Sequence, residues 1–314
     1  MDPTAATRVE PSMAERFRGA LVGTAVGDAF ASVLGEHEEE VPAEAIAGLL
    51  ARASVSVDGA ATTLTTSVAE SLLFCGALDE DHLARTMATL WLRRRGLGAP
   101  PDRGPLDRLA EGAPPAQIRL QGPLEEVFES EPAMQSVPAA LMADGDLTVA
   151  VSLARRAAAV THKDGAAIDG AGIVAAAAAL MLQPASPAGP RLIEALEHLA
   201  IDPVMRTQLH RVARLGRVDP PEAAAIIGTG PTVLETVPAA LWALVHAPGS
   251  FSGALVAAAA LGGLRSAILP ITGAIAGARH GVSAVPTEWR ISVARADALI
   301  GLADRFLARS HHPR

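Results

Sequence analysis

Cysteine is almost absent from this chain, since Cys75 is the only one among 314 residues. A lone cysteine excludes an internal disulfide and a zinc site built from thiolates, so the sequence predicts a protein of a reducing cytoplasm. Asparagine is missing altogether, and Lys163 is the single lysine among 26 basic residues. This preference for arginine is typical of a high-GC bacterial genome and carries no information about activity.

Aromatic residues are also scarce. Tyrosine is absent, and all aromatic residues together make up 3% of the chain. Half of the residues are nevertheless hydrophobic and only 19% are charged, which excludes intrinsic disorder for most of the chain. The core must therefore be built from alanine, leucine, valine and isoleucine. An interior rich in alanine favours helices over strands.

The net charge is −8, and most arginines are scattered along the chain. Phosphate binding needs a concentrated positive surface, so we expect no nucleic-acid partner. The one basic cluster, Arg93–Arg95, is predicted to end a helix just before the Gly/Pro-rich stretch that begins at Gly96. Residues 1–12 are polar and lack the apolar segment of a signal peptide, so we expect no secretion. The uncharged stretch 247–264 has nearly the length of a membrane span, but Pro248 and several glycines in it favour a buried helix pair, so we expect no membrane partner.

Apolar residues recur with a helical period in nearly every segment, whereas no convincing strand alternation is found. The predicted fold is all-α. One apolar stripe predicts a single last helix and is formed by Trp289, Val293, Ala296, Ile300, Ala303 and Leu307. We expect a single domain at 13–309, with flexible termini at 1–12 and 310–314.

The segment 96–138 is rich in proline and glycine and only weakly periodic. It is either a linker between two domains or a long surface excursion of one domain. We favour the excursion, because a cut here leaves an N-terminal piece too small to bury its alanine-rich faces.

Two sets of glycines repeat at intervals of four residues. They are Gly19, Gly23 and Gly27 near the beginning of the chain and Gly273, Gly277 and Gly281 near its end. Glycine inside a helix costs about 0.5–1 kcal/mol relative to alanine, so each ridge predicts the close approach of another backbone. We predict that the two helices contact each other or a shared neighbour. Plain close packing is favoured over a ligand cleft between them.

The first glycine ridge belongs to a stretch, Arg16–Ala29, that ends in Gly27-Asp28-Ala29. Further short motifs follow in order: Ala69-Glu70-Ser71-Leu72-Leu73, Val160-Thr161-His162, Leu261-Gly262-Gly263 and Gly273-Ala274-Ile275-Ala276-Gly277-Ala278. In content, order and spacing this set resembles the ADP-ribosylglycohydrolase family of the dinitrogenase-reductase-activating type, from about Arg16 to Trp289.

The resemblance implies an orthogonal all-α bundle with a central cleft. In active members this cleft holds two magnesium ions and cleaves ADP-ribose from a protein side chain or a small acceptor. Their carboxylate ligands come from a Thr-Asp-Asp-Thr turn and a Gly-Asp-Thr-Asp-Thr turn. Ungapped counting places the four aspartate positions of these turns on Ala60, Ala61, Leu264 and Ser266.

This divergence predicts that no magnesium is bound, because the acidic ligands are missing; we therefore expect no cofactor. The family's phosphate-binding glycine loop falls on Glu129–Gln135, which lacks the glycines and the arginine of that loop. A glutamate used by some members falls on Gly35, with Glu36 beside it. The acidic run Glu36–Glu40 by itself is better interpreted as a solvated loop than as a metal site.

The residues left as candidates for chemistry are Asp28, Glu36 and His162. His162 either lines the cleft, as the resemblance implies, or is a helix-end residue satisfied by backbone. The resemblance also places Thr62, Glu70 and Arg265 along the cleft, and we hypothesise that the Arg265 guanidinium takes the place of a metal and pairs with Asp28. These last three residues complete the candidate list.

Two functions from different classes are consistent with these residues. In the first, the chain is a pseudoenzyme that keeps the hydrolase scaffold as a binding or regulatory module for an ADP-ribose-like, nucleotide-like ligand or for a protein partner. In the second, it is an ADP-ribosyl hydrolase or related enzyme with altered, metal-independent chemistry that uses Asp28, Glu36, Glu70 or His162 as acid or base.

Overall fold

The computed structural model describes residues 10–35, 45, 48, 59–96, 104–121 and 129–310. Every regular element in these ranges is a helix, and they contain no β-strand. The predicted all-α fold is therefore confirmed.

The α-helices of the described ranges are 4 to 22 residues long. In chain order they are α1 (Met13–Leu34), α2 (Ala60–Cys75), α3 (Glu80–Gly96), α4 (Pro105–Ala110), α5 (Pro115–Gln121), α6 (Glu131–Met134), α7 (Val137–Met142), α8 (Leu147–Ala158), α9 (Gly165–Leu182), α10 (Pro190–Glu197), α11 (Pro203–Arg214), α12 (Pro220–Ile227), α13 (Val233–His246), α14 (Phe251–Ala260), α15 (Arg265–His280), α16 (Thr287–Ile291) and α17 (Ala296–Ser310). Proline stands in the first turn of α4, α6, α7, α10, α11 and α12, where a helix needs no N–H donor.

The central feature of the fold is the contact between α1 and α15, the most extensive helix pair in the structure. A Cβ added to Gly19 would overlap the carbonyl of Gly277, and one added to Gly23 would overlap the carbonyl of Gly273. The reverse holds for both partners, so the two backbones touch directly. The prediction that the glycine-ridged helices contact each other is confirmed, and it joins the two ends of the chain in one core.

Other helices cover this pair on all sides. Helices α2 and α17 pack against α1, whereas α9, α13 and α14 pack against α15. Two of the core helices, α1 and α9, are long and apolar enough to cross a membrane by length and composition alone. In each, 83% of the most apolar 18-residue window is buried inside the protein. Both helices thus occupy positions in which their apolar side chains are already covered.

The predicted single last helix is wrong, because the structure divides it. Helix α16 ends at Ile291 and α17 begins at Ala296, with a turn between them. The Ser292 hydroxyl donates to the carbonyl oxygen of Trp289 (2.7 Å), a local bond that competes with helical pairing. Trp289 itself is anchored edge-on against Phe30, with ring centroids 4.7 Å apart. Three residues of the predicted apolar stripe are buried, Trp289, Val293 and Ala303, whereas Ala296, Ile300 and Leu307 are only partly buried, and the bend divides the stripe between two helices.

The segment 96–138 folds back onto the domain. Asp107 on α4 accepts from Trp91 Nε1 and Arg95 Nη1, both on α3 and both at 3.0 Å. Ser130 contacts Thr236 of α13, and α7 packs against α2, α8 and α9. The described parts of this segment therefore behave as an excursion of one domain. Arg93–Arg95 occupies the last turn of α3, which confirms that prediction.

Candidate functional site

A cavity of about 610 Å³ opens where the end of α1, the beginnings of α2 and α15, and the turn before α6 meet. A volume of this size suits a small organic ligand. Among the described residues its lining consists of Asp28, Ala31, Ser32, Gly35, Gly59, Ala60, Arg94, Glu129, Ser130, Glu131, Met134, Pro231, Leu264, Ser266 and Ala267.

Asp28 forms one wall of the cavity and also supports the beginning of α2. Its Oδ2 accepts from the backbone N–H of Thr62 (2.8 Å) and from the Thr62 hydroxyl (2.6 Å). The N-cap residue of α2 is Gly59, which has no side chain to satisfy these orphan donors, and a Cβ there would overlap the Asp28 carboxylate. Asp28 thus replaces the missing cap from a neighbouring helix, where the helix dipole favours its negative charge.

The positions that the resemblance assigns to aspartates lie around the same cavity. Ala60, Leu264 and Ser266 line it, and Ala61 is fully buried beside them. Together they offer a single hydroxyl and no carboxylate. Magnesium binds in proteins through hard oxygen ligands, mainly carboxylates, so this donor set does not fit a pair of magnesium ions.

Arg265 lies between Leu264 and Ser266 in the chain and is fully buried. Its Nε donates to the carbonyl oxygen of Ala259 (3.2 Å) and its Nη1 to that of Gly35 (3.4 Å), and burial lowers the pKa of the guanidinium. It does not point into solvent. The bonds described for Asp28 and Arg265 run to Thr62 and to main-chain oxygens, so an ion pair between them stays a hypothesis.

The opposite wall is formed by the turn Glu129–Glu131. Between the two glutamates, Ser130 is buried, and its Oγ lies 2.8 Å from Thr236 Oγ1 and 3.2 Å from the carbonyl oxygen of Pro231. These bonds fix the turn to the loop before α13 and to α13 itself. The two flanking glutamates line the cavity on either side of this anchored serine.

His162 lies directly behind this turn, in the loop between α8 and α9. Its ring is buried; Nε2 is 2.7 Å from Glu129 Oε2, and Nδ1 is 2.8 Å from Thr161 Oγ1. The ring is therefore held by side chains and not by backbone. Ligand atoms of Glu129, Glu131 and His162 all lie within 4.8 Å of one another.

The structure thus brings some predicted residues together and separates others. Asp28 lines the cavity, and His162 reaches its edge through Glu129. Thr62 lies behind Asp28, whereas Glu70 is two turns further along α2; neither of them, nor Arg265, is among the lining residues described above. Glu36 and the rest of Glu36–Glu40 lie outside the described residues.

Sequence reasoning overlooked Glu129 and Glu131 as functional residues. The resemblance directed attention to the glycines that this turn lacks. The only sequence signal for these two residues was a Glu-x-Glu pattern just before Pro132. Their partner His162 lies 33 residues after Glu129 in the sequence. That distance in sequence gives no indication that the side chains meet.

The sequence matches the ADP-ribosylglycohydrolase family over residues 9–314. The chain belongs to this family. It is also 29% identical over 343 residues to the ADP-ribosylhydrolase ARH3 of Danio rerio, an alignment that covers 94% of this chain and 90% of that protein. A solved structure, the "ADP-ribosylglycohydrolase-related protein complex", superposes with a TM-score of 0.70 at 25% identity and covers 95% of this chain and 99% of its own.

For this family member, the all-α fold agrees with what the resemblance implied. Among the residues that line the cavity are Ala60, Leu264 and Ser266, which stand at positions that the resemblance assigns to aspartates. Its described lining instead holds three carboxylates at other positions, Asp28, Glu129 and Glu131, together with Arg94. The chemistry of the site must therefore be argued from these groups.

Proposed function

We propose that this member of the ADP-ribosylglycohydrolase family binds a small nucleotide-like ligand in the cavity and does so without the pair of magnesium ions. One observation carries the proposal: Ala60, Leu264 and Ser266 line an open cavity at the positions of the missing aspartates. The side of the cavity formed by these residues has no carboxylates, so it needs no cation to offset carboxylate repulsion. We infer a pseudoenzyme with a binding or regulatory role.

The ligand class is inferred from kinship and size together. A relative over nearly the whole chain is named an ADP-ribosylhydrolase, and fold kinship by itself does not establish a shared ligand. The cavity volume lies within the range of small-molecule sites. We therefore choose ADP-ribose as the first probe.

The binding proposal predicts that ADP-ribose binds to metal-free protein and that added magnesium does not change the affinity. Titration calorimetry on EDTA-treated, dialysed protein, with and without millimolar Mg²⁺, measures this directly. Ala60→Trp, which fills the cavity from the first turn of α2, should abolish the heat of binding. Ala298→Trp, an exposed position on α17 outside the cavity, is the matched control and should bind normally.

Two results would contradict this proposal. If ADP-ribose bound only in the presence of Mg²⁺, a magnesium site would exist despite the missing aspartates. If neither condition gave binding, the ligand class would be wrong. Far-ultraviolet circular dichroism of both tryptophan variants separates a filled cavity from a damaged fold.

A second function, hydrolysis by altered chemistry, is favoured by the contact between His162 and Glu129. The two groups are 2.7 Å apart at the edge of the cavity, and a histidine paired with a carboxylate is a common acid–base arrangement. This alternative predicts release of ADP-ribose from an ADP-ribosylated arginine or serine peptide in metal-free buffer, lowered at least about 100-fold in Glu129→Gln. Absence of turnover by the unmodified protein would leave the binding module as the remaining function.

A further inference from the structure

The cavity wall opposite the missing aspartates contains three side chains that could each give one ligand atom to a metal ion. They are Glu129, Glu131 and His162, and their ligand atoms lie within 4.8 Å of one another. We propose that these three residues bind one divalent first-row transition-metal ion, Zn²⁺ in the first instance. The site lies on different elements from the two aspartate turns, and the proposal stands whether or not the cavity binds a nucleotide.

The orientation of the His162 ring is compatible with a cation at this point. The Thr161 hydroxyl lies 2.8 Å from Nδ1 and 3.4 Å from the carbonyl oxygen of Ala158. When this hydroxyl donates to Ala158, it accepts from an Nδ1–H group, and Nε2 then has a lone pair to give to an ion. When Nε2 carries the proton instead, it donates to Glu129 Oε2 at 2.7 Å, and a bound ion takes the place of that proton.

The hydrogen bond from Nδ1 to Thr161 is also the kind of outer contact that orients histidines bound to metals. A metal-bound histidine usually donates its other ring nitrogen to an oxygen, which fixes both the tautomer and the ring plane. The Thr161 backbone and side chain are buried, so this contact is sheltered from water. The ring is thus oriented before any ion arrives.

The two glutamates belong to a turn that is anchored through its central residue. Ser130 separates them, and its hydroxyl is bonded to Thr236 and Pro231 as described above. Glu131 begins α6, and Pro132 follows it in the first turn of that helix. Two carboxylates held near each other repel, and an ion bound between them removes that repulsion. Supported backbones of this kind keep ligands near their binding geometry.

The chemical types of these three ligands indicate which metal ion the site would bind. Magnesium prefers a complete shell of oxygen ligands, whereas imidazole is a good ligand for zinc and other transition metals. Three protein ligands with one position left open is the arrangement found in catalytic zinc sites. Glu129 and Glu131 line the cavity, so the open position would face the space in which a ligand binds.

Metal binding to the full-length protein after EDTA treatment tests this proposal. We expect one Zn²⁺ per chain by elemental analysis and calorimetry, a visible absorption band when Co²⁺ replaces it, and no comparable binding of Mg²⁺. Glu131→Gln and His162→Ala should each weaken Zn²⁺ binding at least about 100-fold, because each removes a direct ligand. Glu131 is partly exposed, so its variant should fold normally.

A second glutamate–histidine pair in the chain supplies the control. His210 Nδ1 lies 3.2 Å from Glu197 Oε1 on the surface, far from the cavity lining. His210→Ala should leave Zn²⁺ binding unchanged. The proposal is overturned if no variant weakens Zn²⁺ binding, if His210→Ala weakens it as much as His162→Ala, if Mg²⁺ competes on equal terms, or if no metal binds.

Discussion

Replacing Gly277 by alanine should lower the free energy of unfolding by about 3 kcal/mol or more, although alanine is the better helix former. A Cβ at this position would overlap the carbonyl group of Gly19, and its nearest neighbours are backbone atoms that cannot rotate away. Relief requires α1 and α15 to separate along their length. Because these helices form the central pair of the core, many buried contacts would loosen together.

Gly301 is the matched control for this substitution. It lies in the middle of α17, is exposed, and has no heavy atom within 4 Å of an added Cβ. Gly301→Ala should therefore stabilise the protein by about 0.5–1 kcal/mol through helix propensity alone. Urea unfolding monitored by circular dichroism measures both variants. Equal effects of the two substitutions would show that the α1–α15 contact does not depend on glycine.

The α1–α15 contact is a part of the fold that sequence can predict. Glycine weakens an isolated helix, so three glycines in register on one face are explained only by something that approaches that face. Gly19, Gly23, Gly273 and Gly277 repeat this pattern in two segments, and each segment supplied the partner of the other. The sequence could not specify which glycine faces which, since that depends on how the helices are shifted along each other.

The bend after α16 shows where periodicity fails. A continuous apolar stripe describes which side chains are buried, and both one straight helix and two helices joined by a turn satisfy it. Two contacts favour the two shorter helices: the ring of Trp289 packs against Phe30 of α1, and the Ser292 hydroxyl donates to the carbonyl oxygen of Trp289. Neither contact can be read from the hydrophobic pattern. The ring contact joins residues that are distant in sequence, and the hydroxyl bond involves a polar side chain.

The two walls of the candidate site differ in how far the sequence indicates them. The wall containing Ala60 and Leu264 follows from the resemblance, because short motifs on helices flank both turns and fix the count of residues between them. The wall containing Glu129 and His162 does not follow from it, since it joins two loops by a side-chain contact across 33 residues. A resemblance transfers expectations only to positions that match the motif, and for this turn it implies glycines and an arginine but no carboxylates.

The charges of the two walls now constrain the ligand. The described lining contains Asp28, Glu129 and Glu131 against Arg94, a balance that repels phosphate. A nucleotide-like ligand bound to metal-free protein must therefore place its phosphates near Arg94 and away from the Glu129 wall. The proposed transition-metal site and the proposed ligand class are independent of each other, and each has a test that does not involve the other.

The loop that carries His162 is held by a partly buried ion pair between the helices on either side of it, in which the Asp169 side chain is 3% exposed and the Arg155 side chain 22%. Asp169 on α9 accepts from Arg155 Nη2 of α8 at 2.6 Å and from the backbone N–H groups of Ile201 and Asp202 at 2.8 Å each. Arg155 also donates to the carbonyl oxygen of Leu199 (2.9 Å). One carboxylate therefore joins α8, α9 and the segment before α11.

Asp169→Ala should lower the free energy of unfolding by about 3–5 kcal/mol, because it leaves the Arg155 charge and two backbone N–H groups without their acceptor. Asp304→Ala is the control: its pair with Arg18 is equally short at 2.7 Å but lies on the surface, and its loss should cost less than about 1 kcal/mol. Urea unfolding of both variants gives the comparison. If Asp169→Ala cost no more than Asp304→Ala, burial of the pair would be irrelevant to stability. A large loss of stability would show that this one carboxylate supports the His162 loop. Zn²⁺ binding by Asp169→Ala should then also weaken, even though none of the proposed ligands has been changed.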